Sequence, residues 1–104
     1  MTTEEALRKA KTLKKRNFEL EKIIIESPLH SFEYAKDVLK APFVEGEKII
    51  SSGSLYSLLY AEEVLFSPFY LGHPVIFKSI WENDYINFLR SINYDLNKIS
   101  EWLL

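Results

Sequence analysis

The sequence predicts an all-α protein: a small helical-repeat array of seven to eight short helices in a single domain over residues 1–104. Three observations carry that expectation. Residues 47–72 repeat residues 21–46 without a gap and share 13 of 26 positions: Glu, Lys, Ile, Ile, Leu, Ser, Tyr-Ala, Val-Leu, Pro-Phe and Gly. Self-similarity at such a period marks stacked supersecondary units. Within each copy the apolar residues step by three and four, as Leu29, Phe32, Ala35, Val38 and Leu39, then as Leu55, Leu58, Ala61, Val64 and Leu65. That is one face of a helix, not the alternation of a strand. Helix-boundary residues also recur at the same places, with Pro42 and Pro68 following the two Val-Leu pairs.

The elements follow in order. A degenerate leading unit, 1–20, holds a helix from about Thr3 to Arg16, with Ala6, Ala10 and Leu13 turned to the fold. It sits in the register of a second helix, because Leu13 and Lys14 lie 26 residues before Leu39 and Lys40. The first full copy, 21–46, opens with a short helix around Ile23 and Ile24. Ser27 then caps a longer helix that has Pro28 at its first position. The second copy, 47–72, repeats this around Ile49 and Ile50, with Gly53 and Ser54 in the capping place. Pro42 and Pro68 are read as the stops of the longer helices, Phe43 and Phe69 as inward anchors, and Gly46 and Gly72 as caps for the next short helix. In the divergent trailing unit, 73–104, a short helix runs from Pro74 to Ile80, with Ile76 under Ile50. Asn83 or Asp84 caps a helix through Ile92 that brings Tyr85 under Tyr60 after a one-residue deletion. A last helix, Asn93 to Leu104, presents Leu96, Ile99 and Leu103 on one face.

Composition limits the function. Hydrophobic residues make up 47% and charged residues 27% of the chain, the balance of a globular protein. The longest uncharged run, Val64 to Phe77, is broken by Pro68, Gly72, His73 and Pro74, so no membrane span is expected. The N-terminal stretch lacks the apolar core of a secretory leader. With no cysteine there is no disulfide framework and no thiolate metal site, and the expected compartment is the cytoplasm. The net charge of −2 is divided unevenly: residues 1–17 carry +4 and the remainder −6.

No catalytic constellation stands out. His30 and His73 have no partner at ligand spacing. The serines 27, 31, 51, 52, 54 and 57 occupy caps or repeat-matched places without a nucleophile elbow. Glu62 and Glu63, or Glu82 with Asp84, point different ways on a helix and share no site. No enzyme activity, cofactor or metal is expected. The basic residues Arg8, Lys11, Lys14, Lys15 and Arg16 suggest a contact with nucleic acid or an acidic partner, Arg8, Lys11 and Lys15 forming a helical stripe that phosphates would recognise. Against this stands the plainer role of balancing the acidic remainder. Aromatic residues that differ between copies are the better protein-binding candidates, since a shared scaffold varies where its surface is adapted. Tyr56 replaces His30, Phe66 replaces Lys40, and Tyr70 replaces Val44. Trp81 and Trp102 lie in the divergent end, where core filling is the competing role. Tyr and Trp dominate interface energetics.

The pattern carried by Tyr34-Ala35, Val38-Leu39, Phe43 and Gly46-Glu47, and by Tyr60-Ala61, Val64-Leu65, Phe69 and Gly72, resembles short tandem helical repeats of phage and bacterial proteins. His73 stands where that pattern has glutamate. The resemblance implies an α-helical repeat fold and a phage or mobile-element origin, and brings no catalytic residues. The expected function is therefore a non-enzymatic interaction protein with a protein partner, a phage-encoded inhibitor or modulator of a host or defence protein. The alternative is a nucleic-acid-binding module using the basic N-terminal helix. A third reading is self-assembly through the divergent end units into a homo-oligomer.

Overall fold

A computed structural model describes residues 1–103, and among these every regular element is helical. Eight helices follow one another. They are α1 (Thr3–Leu13), α2 (Phe18–Ile24) and α3, which runs as Pro28–Glu33 and widens into π-helical turns over Tyr34–Leu39. Next come α4, a 3-10 turn Val44–Gly46 leading into Glu47–Ile50, and α5, Ser54–Tyr60 with π-helical turns over Ala61–Leu65. The last three are α6, a 3-10 turn Tyr70–Gly72 leading into His73–Ile76, then α7 (Glu82–Ser91) and the 3-10 segment α8 (Leu96–Trp102). Contacts pass between near neighbours: α1 meets α2 and α3, α3 meets α4 and α5, and α5 meets α6. The result is elongated, 43 × 22 × 18 Å.

The helix starts follow local chemistry. Thr2 and Glu5 form a reciprocal capping box at α1, the Asn17 side chain accepts from Leu20 N–H at α2, and Ser27 accepts from His30 N–H at α3. Two expectations fail here. Gly53 starts α5 in extended backbone but has no side chain with which to cap it. Neither Asn83 nor Asp84 caps α7; Trp81 precedes that helix, and its N–H is taken by Ser79 Oγ at 3.0 Å. Gly46 and Gly72 stand at the N-cap of the α-helical turns Glu47–Ile50 and His73–Ile76, as expected, each closing a 3-10 turn, Val44–Gly46 and Tyr70–Gly72, that leads in.

The helix ends also differ from the sequence reading. Lys14, Lys40 and Phe66 each adopt left-handed backbone, with φ of 56°, 51° and 53°, and stop α1, α3 and α5. Lys14 N–H closes on Ala10 O, and Lys40 N–H on Ala35 O. The prolines at 42 and 68 follow these corners and do not make them. α1 therefore ends at Leu13, short of Arg16, which removes Lys15 from the helical stripe of Arg8 and Lys11. Leu7 rather than Leu13 completes its buried face; Leu13 is exposed. At the other end α6 stops at Ile76 instead of Ile80. The last segment is a kinked 3-10 turn that buries Ile99 and leaves Leu103 exposed. Leu104 lies outside the described residues.

One polar unit recurs through the core. Tyr34 donates to Glu21 Oε2 at 2.6 Å and accepts Asn17 N–H at 3.2 Å. Tyr60 donates to Glu47 Oε2 at 2.6 Å and accepts Phe43 N–H at 2.9 Å. Tyr85 pairs with His73 Nε2 at 2.6 Å and accepts Phe69 N–H at 3.0 Å. Each tyrosine thus ties a side chain of the short helix, buried in Glu21 and His73 and half-buried in Glu47, to the backbone of the preceding corner. Phe43 and Phe69 turn inward as expected and meet Tyr34 and Tyr60 edge-on at 5.0 and 4.9 Å. Ser31 and Ser57 donate to Ile24 O and Ile50 O, joining the short helix to the long one in each copy.

Candidate partner-binding surface

Four residues adopt left-handed backbone, Lys14, Lys40, Phe66 and, after α7, Asn93; the first three fall 26 residues apart, and their side chains are exposed. Two shallow clefts join them. A cleft of about 320 Å³ is lined by Lys11, Lys14, Asp37, Val38 and Lys40. The second, of about 210 Å³, starts at Lys40 and is lined by Ala35, Lys36, Ala41, Glu63, Val64 and Phe66. Lys40 is common to both, so the surface runs without a break from Lys14 to Phe66.

Phe66 is 68% exposed. Among the other sequence-selected aromatics only Tyr70 stands equally free, and its hydroxyl pairs with that of Tyr94. Tyr56, Trp81 and Trp102 are half-buried against the core. Trp102 stacks on Phe77 with ring centroids 5.7 Å apart and meets the His73 ring edge-on at 5.5 Å. Of the corner lysines, Lys14 stood among the basic candidates in the sequence and Lys40 did not, although it is in register with Lys14 and Phe66.

A second exposed row was missed. Phe18, Val44 and Tyr70 occupy equivalent positions 26 residues apart and are 66%, 69% and 57% exposed. Extending the alignment of copies upstream to Phe18 would have found it. Near it lies a groove of about 410 Å³ lined by Ile25, Glu45, Lys48, Ile49 and Ser52.

The basic residues divide into paired and unpaired. Arg8 meets Glu4 at 3.2 Å, and Lys11 is shared by Glu33 at 3.3 Å and Asp37 at 3.5 Å. Arg16 lies over the Phe18 ring and bridges Glu21 at 2.9 Å and Glu45 at 2.8 Å. The Glu45 carboxyl is held below the usual carboxylate range, first by its own backbone N–H and then by Arg16. Three of the five candidate bases therefore balance the chain's own acids. Lys14 and Lys15 have no ion-pair partner among the described residues, and neither does Lys40.

The histidines are placed apart. His30 Nδ1 meets Thr3 Oγ1 at 2.7 Å at the α1–α3 contact. His73 is fully buried, ringed by Tyr70, Phe77, Tyr85 and Trp102, and its Nδ1 has no hydrogen-bond partner. Burial pushes its pKa down to about 4. Glu62, partly buried on α5, is raised first by burial and then by Glu63 and Asp84, while Glu63 turns to Lys36 at 3.9 Å. Among the described residues no group of metal-ligating side chains converges, and no helix is long and apolar enough to cross a membrane.

No protein-family model matches the chain, and neither the curated proteins nor the solved structures give a match.

Proposed function

We propose that this protein is a non-enzymatic helical-repeat scaffold that binds another protein through the surface around Phe66 and Tyr70. Phe66 carries the reading. A side chain in left-handed backbone costs about 1–2 kcal/mol, which is why glycine is usual at such helix ends. Lysine at the equivalent corners recovers part of that cost, because a cation suits the negative end of a helix. Phenylalanine recovers none of it and leaves 68% of its surface in water. Folding gains little from a ring so exposed, and contact with an outside surface is what accounts for the residue. The likeness to phage repeats extends the proposal by analogy to inhibition or redirection of a host or defence protein.

The test is affinity capture from lysate of the cells that contain the protein, with and without nuclease, using wild type and a Phe66→Ser/Tyr70→Ser variant. The expected result is a stoichiometric protein that survives nuclease and is lost with the variant. Retention by a correctly folded variant would remove this surface from consideration. Loss of every partner on nuclease treatment would instead favour a nucleic-acid partner.

A further inference from the structure

We propose that the edge formed by Lys14, Lys40 and Phe66 holds an extended acidic protein segment, with an apolar side chain on Phe66 and carboxylates at the two lysines. This rests on the binding role above and names the chemistry of the partner.

The three residues repeat at one structural place, on helices that lie side by side: α1 contacts the end of α3, and the end of α3 contacts the end of α5. Packed helix axes are about 8–10 Å apart, so successive corners are separated by about that distance. A segment in the extended polyproline II conformation advances about 3.1 Å per residue with three residues per turn, so every third side chain points the same way and reaches the next corner. The matching segment therefore carries an apolar residue, then an acid three residues on, then another three beyond it. The clefts between corners offer the apolar walls Val38, Ala35, Ala41 and Val64 to the intervening residues.

Charge decides the class of partner. Along this edge Lys11 is already neutralised by Glu33 and Asp37, and Lys36 faces Glu63. Only Lys14 and Lys40 remain without an ion-pair partner among the described residues of the two clefts. A nucleic-acid strand carries a phosphate at every nucleotide and would lay some of them over Asp37 and Glu63, which line the same clefts. A peptide places its carboxylates only where the lysines stand.

The experiment is a titration of isotope-labelled protein, followed by amide chemical shifts. The probes are a synthetic peptide with leucine followed at the third and sixth places by glutamate, its lysine counterpart, and a single-stranded oligonucleotide. Saturable shifts at residues 14, 40 and 66 are expected for the acidic peptide alone, weakening as salt screens the lysines. The Lys14→Gly/Lys40→Gly variant relaxes both left-handed corners and so remains folded. It should bind about tenfold more weakly, the effect of losing two exposed ion pairs. Unchanged affinity in that variant, no binding of the acidic peptide, or equal binding of the lysine peptide or the oligonucleotide would overturn the inference. If Phe66→Gly abolishes lysate capture while Lys14→Gly/Lys40→Gly leaves it intact, the acidic-segment inference fails and the binding role stands. If Phe66→Gly leaves capture intact, both fail.

Discussion

At the scale of single residues, the fold depends on one tyrosine hydroxyl per unit. Tyr60 is fully buried, donates to Glu47 and accepts Phe43 N–H. Its pKa is raised by burial first and by Glu47 second. Tyr60→Phe keeps the ring but leaves a half-buried carboxylate and a buried N–H without their partner, which should cost about 1–3 kcal/mol in urea unfolding. A loss below that of an exposed hydrogen bond would show that water replaces the hydroxyl. His73 makes the third unit pH-sensitive. Its folded pKa of about 4 lies below the ordinary 6.5, so between those values the unfolded chain takes up a proton that the folded chain refuses. Stability is then full above pH 6.5 and falls on acidification toward pH 4, by roughly 2–3 kcal/mol over the window. His73→Gln keeps an acceptor for Tyr85 and should flatten that slope. Identical slopes in the two proteins would show that His73 is not its source.

At the scale of elements, close approach sets the helix connections. A Cβ at Gly46 would lie 2.5 Å from Phe43 Cδ2, and Phe43 is fully buried against Tyr34. The φ of Gly46, −98°, is one that any residue adopts, so the need is for space rather than flexibility. Gly46→Ala should destabilise by about 1–3 kcal/mol through overpacking. Gly53→Ala meets Tyr56 Cδ2 at 2.9 Å, but that ring is half-exposed and can turn aside, so thermal melts should separate the two variants clearly. The sequence placed Gly46 correctly at the helix cap but missed why only glycine fits there, because the ring that crowds it becomes visible only once the corner is folded. The same limit explains the misplaced helix ends. Pro42 and Pro68 are loud signals, whereas a left-handed lysine or phenylalanine has no local signature, so α1 was extended past Leu13 into Lys15 and Arg16.

At the scale of the whole molecule, the alignment of two copies was enough to read the all-helical array, the inward turn of Phe43 and Phe69, and the shift that sets Tyr85 beneath Tyr60. The surface was harder to read. Differences between copies pointed to Phe66 and Tyr70, which are exposed, and equally to Tyr56, Trp81 and Trp102, which lie half-buried against the core. Substitution between copies marks adaptation to a partner and adaptation to a neighbouring helix alike, and only the fold separates them. The basic cluster shows the same thing: Glu33, Asp37 and Glu45 reach Lys11 and Arg16 from residues far along the chain. The most direct measurement is Phe66→Gly, read for stability and for partner capture on the same preparation. Relief of the left-handed corner should raise unfolding stability by about 1 kcal/mol while capture is lost, the signature of a residue held for binding against the preference of the fold. A fall in stability, with capture unchanged, would place Phe66 among the residues that hold the array together and contradict a binding role for this surface.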